Sequence, residues 1–151
     1  MDLFDDGEVF LIALILIFGI GIGLIVKAFY LLTLQKAMEQ VAEERREMPK
    51  GQVWLELIPI FNIVWQFFNV NRVTKSLENE FRAREMNEDE LISATKIGKA
   101  FCILSVCGFV PFIGGLLSLG GFVCWIIFWV KMSGLKTKLE NYHLHKIQHI
   151  Q

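Results

Sequence analysis

The chain has only three cysteines and three prolines among its 151 residues. Cys102, Cys107 and Cys124 all sit in apolar runs and their spacing matches no zinc or redox motif, which argues against a disulfide scaffold or a cysteine-built metal centre. They are expected to be reduced thiols packing as small hydrophobes. Nucleophile elbows, phosphate loops, HExxH and paired acidic motifs are also missing. An enzyme would therefore have to assemble its site from scattered Glu, Asn and His residues, and the expectation is a non-enzyme with no cofactor, no metal and no nucleic-acid partner. Basic residues are absent before Lys27. A cleaved signal peptide wants a basic start and a small-residue cleavage site, whereas this chain opens with Asp2, Asp5, Asp6 and Glu8, so its first apolar run is expected to be a permanent helix.

What is present is apolar bulk: 54% hydrophobic residues and thirteen Phe, more than a small soluble domain normally buries. All fifteen Lys and Arg fall in stretches 27–50, 72–99 and 131–146, and the intervening apolar runs carry none. That distribution identifies one membrane domain over residues 1–151, with the lipid bilayer as its first partner. Basic residues near membrane ends favour the cytoplasmic side. The three stretches should share that side, with the acidic N-terminus outside and the C-terminus cytoplasmic in the plasma (inner) membrane.

The fold expected is an all-α membrane helical bundle with three spans plus a re-entrant or fourth short span, and helices extending into the cytoplasm. Residues 9–26 are eighteen without a charge, and the span reaches residue 34 if Lys27 snorkels. The same helix is expected to continue as a cytoplasmic extension over 35–48, because Leu31, Leu34, Met38 and Val41 keep a three-four spacing and no Gly or Pro intervenes before Pro49. Its narrow apolar stripe asks for a partner helix. Residues 71–86 offer one, with Val73, Leu77 and Phe81 at fourfold spacing and Glu78–Arg82 and Glu80–Arg84 in the favourable i, i+4 order. Asn87 then reads as an N-cap with Glu90 at N3. A membrane hairpin follows, 91–110 and 112–135, divided by Pro111 and Gly114-Gly115. Its two uncharged arms are about fifteen residues each, roughly 22 Å of helix, so the hairpin is shallow. Residues 136–151 form a cytoplasmic tail, in which His145 and His149 are read as part of a frayed terminal helix rather than a metal pair.

Residues 53–70 are the unusual stretch, long enough to cross but carrying Glu56, Pro59, Asn62, Gln66 and Asn69. A full crossing would put Arg72, Lys75, Arg82 and Arg84 opposite Lys36, Arg45, Arg46 and Lys50, against the positive-inside tendency. Re-entry, with a break at Pro59, removes the conflict. The alternative is four full spans with a weakly enforced charge rule, since the loop that follows is nearly neutral.

Polar residues at membrane depth are costly unless paired and often face a cavity or an interface. Asn62, Gln66 and Asn69 share one helical face, and Glu56 lies off it on a regular helix. Together they are candidates for a pore or polar lining, with Glu56 as a cation ligand or proton carrier; interhelical hydrogen bonding by the amides is the structural alternative. Gly19 and Gly23 form a GxxxG pair, and Gly114, Ser118 and Gly121 a comparable row. These are candidate helix-packing or oligomer interfaces. Trp125 and Trp129 fit interfacial anchors.

Trp54, Ile58-Pro59, Phe61-Asn62 and Trp65, with the Trp129-Val130-Lys131 exit of the last helix, resemble short multi-span proteins of uncharacterised bacterial families. The resemblance covers part of the chain. It implies a bacterial inner-membrane protein and transfers neither activity nor residue roles. Two functional expectations follow from the residues themselves. In the first, copies associate into a homo-oligomer and form an ion or small-solute pore lined by Asn62, Gln66 and Glu56. In the second, the chain is a non-conducting structural or regulatory subunit that docks a cytoplasmic protein through Leu31, Leu34, Met38, Val41, Leu77 and Phe81.

Overall fold

In the computed structural model, residues 6–108, 110 and 112–148 are described. Asp2, Asp5, Pro111 and His149, on which sequence expectations rested, lie outside them. The architecture is all-α, without a strand among the described residues: α1 (Asp6–Glu39), α2 (Phe61–Ala83), α3 (Asp89–Cys107) and α4 (Gly114–Gln148), with 3-10 segments Glu43–Arg45 and Lys50–Leu57 between α1 and α2. Two stretches, Gly7–Glu39 and Gly114–His145, are long and apolar enough to cross a membrane.

α1 ends eight residues earlier than its apolar spacing suggests, at Glu39 rather than 47. Tertiary bonds impose the stop, since the local sequence contains no breaker. The Arg46 Nε donates to the carbonyls of Met38, in the last turn of α1, and of Val41, just beyond it, both at 2.9 Å. The chain then doubles back and lays Met48 and Val53 into the core.

The break at Pro59 occurs where the sequence places it, but its consequence differs from a re-entrant segment followed by a separate cytoplasmic helix. Pro59, Ile60 and Phe61 form a γ-turn: Ile60 has φ 70° and ψ −51°, and the Phe61 N–H donates to the Pro59 carbonyl at 2.8 Å. Beyond it the second half of 53–70 and the expected helix 71–86 fuse into the single helix α2. α2 closes with Glu85 at φ 54° and the Met86 N–H returning to the Phe81 carbonyl at 2.9 Å, a Schellman stop. The N-cap of α3 is Glu88, one residue after the expected Asn87, with no side-chain capping bond; the Asn87 side chain instead accepts from the Asp89 N–H at 2.7 Å in a local turn just before the helix.

The core joins the C-terminal half of α1 (Tyr30, Leu31, Leu34, Met38, Val41) to α2 (Val70, Val73, Leu77, Phe81), α3 (Leu91, Ala94, Cys102) and α4 (Phe128, Met132, Leu135, Leu139). Polar bonds tie one end of this bundle together. Arg84, on α2, donates to the carbonyls of Gln40 and Leu139, and Lys138 of α4 pairs with Glu90 of α3. Members of all three basic stretches therefore meet at that end. The opposite end is apolar outside. α1 stands exposed along residues 9–25, and Ile103, Leu116, Leu119 and Phe122 of the hairpin face outward.

Three helices approach closely at Gly98 of α3. A Cβ on that residue would fall 2.8 Å from both the Phe128 ring and the Val70 Cγ1. Both neighbours are fully enclosed, Phe128 at 0% and Val70 at 1% exposure, so neither has room to yield. Gly98→Ala is expected to lower stability by about 1–3 kcal/mol through overpacking. Thermal unfolding in mild detergent checks it, with Gly115→Ala as control because open space surrounds Gly115. Equal melting of the two variants would refute the close approach.

Candidate functional site

Glu56 lies in the 3-10 segment Lys50–Leu57, and its side chain is fully enclosed. Asn69, two turns into α2, reaches back with its amide Nδ2 to the Glu56 Oε2 at 2.5 Å and the Val53 carbonyl at 3.1 Å. The γ-turn at Ile60 makes this possible. By reversing the chain it lays the start of α2 along the segment that carries Glu56. The two residues therefore meet although no single helix would place them on one face.

The cation for Glu56 comes from α1. The Lys27 Nζ sits 3.4 Å from the Glu56 Oε1 and donates to the Asn62 Oδ1 at 2.8 Å. Lys27 is therefore turned inward rather than snorkelling, with 24% of its side chain exposed. Sequence reasoning missed it as a site residue. The available signal was complementarity: one Lys bordering the first apolar run and one carboxylate inside the second, each costly at membrane depth unless paired with the other.

Beside this network is a cavity of about 360 Å³. Lys27, Asn62 and Gln66 form its polar wall, Ser105 and Ser118 stand opposite, and Phe101, Phe122 and Trp125 complete it. Gln66 is 5% exposed and no hydrogen bond joins its amide to another described residue. Glu56 Oε1, Asn69 Oδ1, the Tyr30 hydroxyl and Gln52 Oε1 are buried without a hydrogen-bond partner among the described residues. Tyr30 is walled by Trp125 and Trp129, whose ring centroids lie 5.3 and 6.2 Å from its own.

The structure thus unites Asn62 and Gln66 with Ser118 and Gly121 around one cavity, and joins Glu56 to Asn69 behind it, all within a single chain. The expected small-residue row divides. Gly121 packs against Leu104 and Ser105, and Gly114 against Gly108, so these serve the hairpin itself. Gly19 and Gly23 have nothing within 4 Å. The expected docking stripe is corrected: Leu31, Leu34, Met38, Val41, Leu77 and Phe81 are at most 1% exposed. The α1 part of the stripe is covered mainly by α4 and the segment Lys50–Leu57, and the α2 part by α3 and that same segment, which leaves no free face there for another protein. The indoles of Trp54, Trp65 and Trp129 donate within the chain, to Gln35, the Gln52 carbonyl and Thr33. Compared with protein families, curated proteins and solved structures, the chain matches none.

Proposed function

We propose that this chain is a non-conducting integral membrane protein, a structural or regulatory subunit of a bacterial inner membrane whose α1 crosses the bilayer. In this reading the hairpin of α3 and α4 and the start of α2 enter the same membrane from the cytoplasmic side, and the polar end of the bundle stands in the cytoplasm. The acidic N-terminus is outside, as the positive-inside tendency favours. This gives one complete span and a shallow hairpin in place of three full crossings.

The observation that carries the non-conducting reading is where the polar side chains lie. Glu56, Gln66 and Asn69 are 1%, 5% and 0% exposed within one chain, with Glu56 and Asn69 bonded to each other. They are turned away from any axis between copies. Ion flux in liposomes holding only this protein is expected to equal that of empty liposomes. Flux above that level, lost in Asn62→Leu, would restore the pore.

Self-association through α1 is compatible with this reading, and a separate observation favours it: the Gly19, Gly21 and Gly23 edge meets no part of its own chain. GxxxG edges allow close helix approach in lipid. A pore along such a contact would have no polar lining, since residues 9–26 are apolar throughout. Crosslinking in membranes is expected to give dimers that Gly19→Leu with Gly23→Leu abolishes.

A further inference from the structure

We propose that the cavity between Lys27, Gln66 and Ser118 binds a phosphodiester, carried as the headgroup of an anionic phospholipid. Its polar wall is rich in donors. The Lys27 ammonium has three protons, of which Asn62 takes one and Glu56 attracts a second, leaving one for a ligand. Asn62 accepts through Oδ1, which leaves its NH₂ toward the cavity. The Gln66 amide and Ser118 hydroxyl have no side-chain partner among the described residues and line the same space. Gln66 is more than nine-tenths buried and lines the cavity, so its amide is placed to bond a guest there.

The charge selects among oxyanions. Lys27 is already shared with the enclosed Glu56, so the pair is neutral before a ligand arrives. Any anion then adds charge that the pair does not cancel, one unit for a phosphodiester and two for a phosphomonoester dianion, so the monoanion is the less costly guest. The surroundings select the source. Ile63 and Phe122, which line the cavity, are 38% and 56% exposed, a surface suited to acyl chains. A volume of about 360 Å³ accepts a headgroup and leaves those chains outside.

This proposal rests on the membrane reading, which alkaline carbonate extraction tests separately: release of the protein into the soluble fraction would overturn that reading by itself. For the site, purified protein in mild detergent is titrated with dioleoylphosphatidylglycerol, with dioleoylglycerol as the same chains without phosphate, and with glycerophosphoglycerol as the same phosphodiester without chains. Melting temperature and native mass spectrometry are the readouts. The expected result is saturable retention of phosphatidylglycerol at least tenfold tighter than dioleoylglycerol, with affinity reduced at least tenfold by Gln66→Leu and by Ser118→Ala. Ser118→Ala removes one hydroxyl and tests the site even if Gln66→Leu fails to fold. Equal retention of the two lipids, or unchanged affinity in the folded variants, overturns the proposal. A matching shift from glycerophosphoglycerol overturns the lipid source.

Discussion

Glu80→Ala should be among the most destabilising single substitutions in this chain, lowering unfolding free energy by about 3–5 kcal/mol. Glu80 is 2% exposed and carries three bonds at once: from the Ala42 N–H at 3.1 Å, from the Arg45 guanidinium at 2.9 Å and from the Arg84 Nε at 2.7 Å. These bonds close the end of the bundle. The Ala42 bond fixes the chain as it leaves α1, and Arg84 itself also holds the carbonyls of Gln40 and Leu139. Removing the carboxylate strands Arg84, whose side chain is 10% exposed, without its partner. Chemical unfolding in detergent micelles, followed by circular dichroism, measures the loss; a value under about 1 kcal/mol would place the network among ordinary surface pairs.

The same hub predicts a pH dependence. Burial works to raise the Glu80 carboxyl, but the bonds from Ala42, Arg45 and Arg84 outweigh it and hold the carboxyl below its usual range. A carboxylate depressed on folding contributes stability above its unfolded value, near 4.3, and loses it as pH falls through the folded value. Wild type should therefore lose stability on acidification below about pH 4, and Glu80→Ala should lose less over that window.

Much of this architecture was legible in local pattern. The three-four stripe of Leu31, Leu34 and Met38 called for a partner, and Leu77 and Phe81 are buried in the same core. The i, i+4 pairs formed, Arg82 with Glu78 and Arg84 with Glu80. Pro59 broke the chain, and α3 starts within two residues of Asn87. What escaped the sequence was long-range. Nothing near residue 40 announces a helix end, because the stop depends on Arg46 folding back and on Glu80 arriving from 38 positions away. Likewise Glu56 and Asn69 fall on different faces of a continuous helix. Only the reversal at Ile60, a β-branched residue at positive φ, brings them together, and β-branched residues seldom adopt that conformation without tertiary support.

Lys27→Met is expected to cost about 3–5 kcal/mol, and Glu56→Gln far less. The asymmetry follows from exposure. With Lys27 gone, Glu56 has the Asn69 amide as its one hydrogen-bond donor, with its side chain at 0% exposure and its charge uncompensated. With Glu56 neutral, Lys27 keeps its bond to Asn62 and, at 24% side-chain exposure, has a route to water for its remaining protons. The double variant Lys27→Met with Glu56→Gln should therefore recover most of what Lys27→Met loses, because a Gln side chain still accepts from Asn69 without leaving a buried charge. A double-mutant cycle read by unfolding in detergent supplies the coupling. If Lys27→Met costs under about 1 kcal/mol and the second substitution restores nothing, then no buried charge was left behind, and Glu56 is held by Asn69 as a neutral acid with Lys27 only nearby. Recovery in the double variant instead makes the ion pair the reason that a lone cation and a lone carboxylate persist in two otherwise uncharged stretches.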